Sequence, residues 1–221
     1  MKLVHSEIDT VFYFESGEIL SLVIEDPAYF YHFVNELYRQ TCGDDGKFTL
    51  SLDDKPIKID GNLDLLTDFF PFEINKKTVL TKIVAKLEKQ SQQPEFYEQC
   101  QQLLAQIEKL VYDLAFTNDL EVEMPKLTIS ALLKSTGLCL KEEYHSLAEK
   151  LLVYMDLMVA CGFAKVFVFV NLRSIIADRE MELFAATCCS KEYRVLLLDN
   201  REYPKFVPEK RTVIDVDKCE I

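Results

Sequence analysis

The sequence predicts an α/β fold with a mostly parallel sheet and an inserted helical subdomain. Two nearly continuous apolar runs late in the chain, residues 165–170 (KVFVFV) and 194–198 (RVLLL), are typical of parallel strands that helices cover on both faces. A similar run at residues 20–24 leads through a short turn into a helix. From about residue 62 to residue 161 the apolar period changes to 3.6, which indicates helices instead.

The order of these patterns sets the domain organisation. We predict a discontinuous α/β head of residues 1–72 and 142–221, and a helical leg of residues 73–141 inserted between its parts. A length of 221 residues suits one domain with an insertion, and a hydrophobic fraction of 49% is ample for a core.

Composition indicates a cytoplasmic protein without a membrane partner. No apolar run approaches the roughly 18 residues of a transmembrane helix, and charged residues interrupt the N-terminal stretch MKLVHSEIDT, so it does not resemble a signal peptide. The seven cysteines contain no CxxC pair, which favours reduced thiols. A net charge of -12 argues against nucleic acid wrapping the whole surface, but it does not exclude a local basic surface.

The strand-turn-helix at residues 20–38 (LSLVIEDPAYFYHFVNELY) has the architecture of a nucleotide-binding protein without its phosphate site. Asp26 is placed as a helix N-cap, with Pro27 at the first helical position. Phosphate-binding turns at this place are rich in glycine and often carry a lysine. Here the turn is Glu25-Asp26-Pro27, with two carboxylates where an anion would lie.

The flanking N-terminal residues predict short strands. Residues 2–4 and 10–14 are strand-like, a turn is expected at residues 15–17, and Phe48–Leu52 pairs with residues 57–59 in a small hairpin.

The leg is predicted as an antiparallel helical hairpin followed by a short helix. The first helix is expected to begin at the cap Asn75, and a break at residues 91–94 separates it from a second helix that runs toward Phe116. Thr128 is expected to cap the short helix, and Gly137 to end it. The second helix carries an apolar stripe for packing in the hairpin, made of Leu103, Leu104, Ile107, Leu110, Val111 and Leu114.

The C-terminal part returns to α/β patterns. A helix over about residues 143–161 should end at Gly162, and Asp178 should cap a helix that reaches Cys189. Residues 212–216 predict a final edge strand.

Three carboxylates alternate before the short helix of the leg. Asp119, Glu121 and Glu123 belong to a strand-like run, LEVEM at residues 120–124, and a period of two puts them on one face about 6.5–7 Å apart. Adjacent pairs of such carboxylates could share Ca²⁺, which prefers oxygen ligands. The alternative is a solvated edge without a metal.

Lysines cluster on two helices of the leg. Lys82, Lys86 and Lys89 share a face of the first helix, and Lys126, Lys134 and Lys141 flank the short one. Lysine faces are commonly just solvated. As a functional surface, they would contact DNA phosphates without reading bases.

No catalytic set is visible in the sequence, so we predict a protein that is not an enzyme. The three histidines are scattered, and there is no GxSxG motif. Asp199 ends an apolar strand, as a magnesium-binding Walker B carboxylate does, and two interpretations of it are possible. It is either such a ligand or a residue that turns or caps the chain.

Taken in order, several stretches resemble one protein family. They are residues 20–38, residues 65–87 (LLTDFFPFEINKKTVLTKIVAKL), residues 118–124 (NDLEVEM), and the two late segments KVFVFVNLRSIIADREMELF and YRVLLLDNREY. This series is similar to the small ring-forming adaptation protein of type II-A CRISPR systems.

The resemblance implies a fold and an activity beyond what spacing indicates. It implies a head related to P-loop ATPases but without nucleotide hydrolysis, a helical leg, and a homotetrameric ring with a basic central hole. Such rings bind the ends of linear double-stranded DNA without sequence preference, thread it and slide. They act in spacer acquisition with the CRISPR integrase complex and the RNA-guided effector nuclease.

The resemblance also implies candidate site residues. Calcium binding is expected in the leg, where Asp119, Glu121 and Glu123 match the acidic stretch of the family. The lysines expected to line the hole are first Lys126, Lys134 and Lys141, and next Lys47, Lys55 and Lys58.

Two other functions stay open at the level of sequence. One is a nucleotide-hydrolysing enzyme on the same fold, with Asp199 as its metal carboxylate. The other is a scaffold that binds protein partners through its acidic surface.

Overall fold

A computed structural model describes residues 1–15, 17–162 and 164–221 of the chain. They form two compact units, which we call the head unit (Met1–Phe72 with Tyr144–Ile221) and the leg unit (Glu73–Glu143). Ser16, which belongs to the turn predicted at residues 15–17, lies outside the described residues.

The head unit is built on a five-stranded sheet in which every neighbouring pair of named strands is parallel. The predicted α/β class with a parallel sheet is therefore confirmed. In spatial order the strands are β6 (Leu63–Leu66), β7 (Val166–Val170), β8 (Val195–Asp199), β3 (Ile19–Ile24) and β9 (Glu209–Ile214).

The three central strands are buried along their whole length, which explains their nearly continuous apolar sequences. One face packs on α1 (Pro27–Thr41) and a smaller sheet. The other face packs on α6 (Asp178–Ser190), where the rings of Phe169 and Phe184 meet edge to face at 5.6 Å, and α6 in turn contacts α5 (Leu147–Ala160).

Strand β6 corrects the prediction that the helical region begins near residue 62. Leu63 pairs with Val166, and Leu66 pairs with Phe169. A four-residue strand carries little periodic signal of its own, and its hydrogen-bonding partner lies a hundred residues away.

The smaller sheet is antiparallel, in the order β2 (Phe12–Tyr13), β1 (Lys2–His5), β4 (Phe48–Leu52), β5 (Lys55–Ile57). Strands β4 and β5 form the expected hairpin, but its second strand begins two residues earlier than predicted. The two turn residues, Asp53 and Asp54, have φ of 50° and 59°, as a type I′ hairpin turn requires.

Helices α1 and α5 of the head unit begin at polar caps, whereas the N-cap of α6 is Ala177. Asp26 accepts a hydrogen bond from the Tyr29 amide at 2.7 Å, and Pro27 is the first residue of α1. Helix α5 begins later than predicted, because its cap is Ser146. Asp178 is the first residue of α6 instead of its cap, which places its charge in the first turn, where the helix dipole favours a carboxylate.

The C-terminal residues fold back on the edge strand β9. The amide and carbonyl of Ile221 both pair with Val213, at 2.8 and 3.1 Å. The Glu220 carboxylate accepts hydrogen bonds from the Thr10 amide at 2.8 Å and from its hydroxyl at 2.5 Å. These contacts tie the edge of the large sheet to the loop between β1 and β2.

The leg unit contains α2 (Lys77–Ser91), α3 (Pro94–Thr117) and α4 (Ile129–Ser135). Thr128 caps α4, as predicted, through a hydrogen bond from the Ala131 amide. Asn75 is not the cap of α2. Its side chain instead bonds the amide and the carbonyl of Leu140 at 2.7 and 3.0 Å, which joins the two ends of the unit. Among the described residues, no helix is long and apolar enough to cross a membrane.

Candidate nucleic-acid interface

In the turn between β3 and α1, a carboxylate of the protein lies where a nucleotide phosphate would bind. The side chain of Asp26 accepts the hydrogen bond of the Tyr29 amide at the N-terminus of the helix. A phosphate at this position would lose that donor and would face two carboxylates, Glu25 and Asp26. The geometry gives the head unit no anion site at this turn.

The surroundings of Asp199 are not those of a capping residue. It ends β8 with a fully buried side chain, and neither carboxylate oxygen has a hydrogen-bond partner among the described residues. Burial, partly opposed by the charge of Arg173, raises the pKa of Asp199 to about 7. Asp199 is therefore not a cap, because its buried side chain bonds no backbone amide among the described residues, although it does end β8 directly before a bend in the chain.

The three lysines of the leg unit that we predicted as DNA contacts are exposed. Lys134 is in the last turn of α4, and Lys126 lies shortly before that helix. Neither has an ion-pair partner in the described part of the chain, whereas Lys141 pairs with Glu143 at 2.7 Å. Lys126 and Lys134 therefore keep their charges available to a phosphate.

A cavity of about 500 Å³ in the leg unit brings a further lysine into the neighbourhood of Lys134. Lys77, at the start of α2, lines the same cavity. The sequence placed Lys77 in a basic run but gave no signal that it approaches α4, since the two residues are separated by most of the leg unit.

The three lysines of the head unit belong to a different environment. Lys47, Lys55 and Lys58 are exposed on or beside the small sheet. Lys47 donates to Glu7 at 2.5 Å, and this hydrogen bond raises the pKa of Lys47. A lysine already paired with a carboxylate gives up that contact before it gains one to a phosphate.

The acidic run of the leg unit is exposed and irregular. Residues 120–127 form no strand, so the predicted strand-like run at residues 120–124 is wrong. Without a neighbouring strand, nothing holds a ladder together, and Asp119 has a left-handed φ of 53°. In the described residues no group of three His, Cys, Asp or Glu side chains is assembled to hold a metal. The run supplies the oxygen donors that Ca²⁺ prefers but not a preassembled site.

Helix α3 exposes most of the apolar stripe that the sequence assigned to packing. Leu104 is buried, but Leu110 and Leu114 are 58% and 57% exposed. Helix α2 has 15 residues and α3 has 24, lengths of about 22 and 36 Å, so α2 covers only part of its neighbour. The expectation that the whole stripe packs within the hairpin is wrong.

A set of apolar side chains of α3, some of them exposed, follows a coiled-coil pattern that sequence reasoning missed. They recur at alternating steps of four and three residues, the spacing that lets two helices pack along a common seam. We call this set the α3 seam: Phe96, Cys100, Leu103, Ile107, Leu110 and Leu114. Its Leu103, Leu110 and Leu114 are exposed, whereas Cys100 and Ile107 are half-buried. Toward the start of α3, Phe96 and Cys100 line a cavity with residues of α2 and α4.

Comparisons with known proteins agree on one family. A family model described as CRISPR-associated protein (Cas_Csn2) matches residues 40–218. The CRISPR-associated protein Csn2 of Streptococcus agalactiae is 25% identical over 194 residues, which are 86% of this chain and 86% of the relative.

Similarity to a solved structure supports the fold alone. The crystal structure of Stu0660 of Streptococcus thermophilus matches with a TM-score of 0.59 at 14% identity, over 97% of this chain and 74% of that chain. The family model spans most of the chain, including both of the late apolar strands. The chain therefore belongs to the Csn2 family of CRISPR-associated proteins, the type II-A adaptation family that its sequence resembles.

Proposed function

We propose that this protein is a non-enzymatic, cytoplasmic DNA-binding protein that acts in CRISPR spacer acquisition. In this proposal four copies form a ring, and the end of a linear DNA duplex is threaded through its basic hole without sequence preference. The observation that carries the proposal is the exposed part of the α3 seam, Leu103, Leu110 and Leu114, because these apolar side chains are left uncovered by the chain itself.

The size of the apolar surface supports assembly. Ten of the nineteen exposed large hydrophobic side chains in the described part of the chain lie within residues 94–122. Monomeric proteins rarely expose large apolar patches, so this concentration of exposed apolar side chains in one segment supports contact with a partner. The helix positions that flank the α3 seam carry one charged residue, Asp113, so two copies can meet there with little repulsion.

The lysines support contact with DNA phosphates. A lysine is a flexible point charge, suited to backbone contact without base readout. Lys126 and Lys134 are exposed without ion-pair partners among the described residues, and symmetry would multiply their charge inside a ring. The net charge of -12 then belongs mainly to the outer surface, which repels DNA.

Calcium binding belongs to the same proposal. Asp119, Glu121 and Glu123 supply oxygen donors on an exposed segment directly after α3. We propose that Ca²⁺ orders this segment, with further donors from backbone carbonyls, water or a second copy.

Membership of the family supports a place in CRISPR systems. We propose the integrase complex and the RNA-guided effector nuclease as protein partners. Copurification of the tagged chain with each component, with and without linear DNA, tests this part.

The central experiment measures native mass by light scattering, with and without Ca²⁺ and linear duplex. The expected mass is that of four chains. A gel shift at low salt then compares linear with closed circular duplex of the same sequence, and the linear form should be retained. Equal retention of both forms contradicts threading.

A pair of variants tests the α3 seam directly. Leu110→Lys with Leu114→Lys places two charges on the seam and should reduce the assembly to smaller species while circular dichroism stays unchanged. The control, Gln101→Lys with Gln102→Lys, adds the same charges to exposed positions of α3 off the seam. If both pairs assemble alike, the seam is not the interface.

Two outcomes favour the other functions considered. ATP hydrolysis that is lost in Asp199→Asn would indicate an enzyme. A tetramer that has no DNA affinity at low salt with Ca²⁺ present would indicate a protein-binding scaffold.

A further inference from the structure

A nine-residue crossover segment, residues 200–208, joins β8 to β9. These two strands lie on either side of β3, so the segment has to pass across one face of the sheet. It contains no helix or strand of its own. Side chains, instead of regular backbone hydrogen bonds, must therefore hold it in place.

Arg173 is the main contact that holds the crossover segment. Its guanidinium, 3% exposed, pairs with Glu209 at 3.0 Å and donates to the carbonyl of Pro204. It also lies over the rings of Tyr203 and Phe206, at 5.0 and 5.1 Å from their centroids. A displacement of this one guanidinium would remove three contacts from the segment, those with Pro204, Tyr203 and Phe206.

A second arginine completes the ion cluster. Arg211 bonds Glu209 at 2.8 Å and reaches Glu202, within the segment, at 3.3 Å. The charges of two arginines and two glutamates thus cancel, and the cluster needs no charge from Asp199.

Asp199 lies directly at the start of the segment and is left out of this balance. Since side chains alternate along a strand and Leu198 faces the α1 side, Asp199 points to the opposite face, as does Ser21 on β3. Both are buried, and neither side chain has a hydrogen-bond partner among the described residues. The Nε of Arg173 is also buried and unpartnered in this part of the structure.

We propose that Asp199 is a neutral acid while the crossover segment is closed, and that its ionisation loosens the segment. The charged groups that act on it are Arg173 after β7, Glu209 and Arg211 on β9, and Arg201 within the segment. An ionised Asp199 competes with Glu209 for Arg173 and is repelled by Glu209. A guanidinium drawn toward Asp199 withdraws from Pro204, Tyr203 and Phe206.

The sign of the pH dependence follows from burial. Loss of hydration favours the neutral carboxyl, so the pKa of Asp199 rises from 3.8 to about 7. The closed segment is therefore favoured at low pH. It loosens progressively as the pH rises from about 4 toward about 7, and above that Asp199 is ionised in both states, so no further change is expected. Loosening uncovers the carboxyl end of β8, the edge where open α/β sheets place ligands.

Hydrogen exchange of the full chain, followed by mass spectrometry between about pH 4.5 and pH 8.5, tests the proposal. After correction for intrinsic exchange, peptides that cover residues 200–208 should lose protection by up to about tenfold per pH unit as the pH rises toward 7, since one proton is released on opening, and the loss should level off above about 7, where Asp199 is ionised in both states. In Asp199→Asn this loss should disappear. Asp60→Asn, an exposed position in the same unit, should behave like the parent protein.

A carbon-13 titration of the aspartate carboxyls of the unmodified protein makes the test independent of any variant. A midpoint near 7 for Asp199 supports the proposal. A midpoint below about 5, or protection of the segment that does not change with pH, overturns it.

Discussion

The head unit and the leg unit differ in how completely they bury their apolar side chains. In the head unit β3, β7 and β8 are buried along their whole length, between helices on one face and a helix with a second sheet on the other. In the leg unit the 24-residue α3 buries Leu104 and Ala115 and exposes much of the rest of its apolar stripe.

This difference indicates two modes of stabilisation. A parallel sheet needs both faces covered, so the head unit completes its core within one chain. A helical hairpin of unequal lengths leaves part of its apolar surface exposed. We expect substitutions in the head unit to act on folding, and matched substitutions in the leg unit to act on assembly, DNA or calcium.

The largest expected effect compares a core residue with a seam residue. Phe169→Ala removes a fully buried ring that packs on Phe184, and should lower the free energy of unfolding by about 3–5 kcal/mol. Leu110→Ala, measured where the protein is monomeric, should change it by less than about 0.5 kcal/mol. Urea denaturation of both variants checks this. Similar losses would show that α3 packs within the chain after all.

The second comparison reverses lysine charges in each unit. Lys126→Glu, Lys134→Glu and Lys141→Glu together should weaken duplex binding by at least about tenfold, and lower the slope of log K against log salt by roughly 0.9 per lost phosphate contact. The matched triple of Lys47→Glu, Lys55→Glu and Lys58→Glu should cost less, because the proposal places the leg lysines first on the DNA surface. The two triples are matched in that each contains one lysine that is already paired, Lys141 with Glu143 and Lys47 with Glu7. Fluorescence anisotropy at several salt concentrations measures both. A larger effect of the second triple would move the DNA surface to the head unit.

The third comparison removes calcium. Addition of EGTA should lower the melting temperature, since a ligand that binds only the folded state stabilises it by about 2.7 kcal/mol at a concentration 100 times its Kd. Glu121→Ala with Glu123→Ala should abolish this response, whereas Glu95→Ala with Glu98→Ala, elsewhere in the leg unit, should keep it. Hydrogen exchange should show loss of protection in the leg unit. If EGTA does not change the melting temperature of the parent protein, the calcium proposal is wrong and the acidic run is a solvated loop.

The smallest expected effect compares two helix caps. Asp26→Ala removes the hydrogen bond to the Tyr29 amide and should destabilise the protein by about 1 kcal/mol, whereas Asp26→Ser should retain most of the stability. Thr128→Ala removes the corresponding bond of α4 in the leg unit and should loosen that short helix locally. Thermal melts and hydrogen exchange distinguish global from local loss. An Asp26→Ala melt equal to that of the parent would show that the cap is dispensable.

The sequence predicted well where one local rule decides the structure. Asp26 and Pro27 placed the start of α1, and the uninterrupted apolar runs placed the strands β7 and β8. These features depend on neighbours in the chain or on burial from both sides. They do not require knowledge of a particular partner.

Other features could not be predicted from the sequence, because they depend on residues far away in the chain. β6 exists through its pairing with β7, and Asn75 bonds Leu140 instead of capping α2. The apolar stripe of α3 was visible, but its exposure follows from the shorter length of α2. The buried Arg173–Glu209 pair gave no sequence signal, because single charged residues are usually exposed.

The return of the C-terminal residues onto β9 has a consequence for how the protein should be handled. An unpaired strand edge is a template for strands of other molecules, and Ile221 fills that place opposite Val213. An affinity tag fused directly after Ile221 would pull on this pairing and on the Glu220 contact with Thr10. A tag at the N-terminus, or a spacer of several residues before a C-terminal tag, therefore keeps the edge of the sheet closed against aggregation during purification.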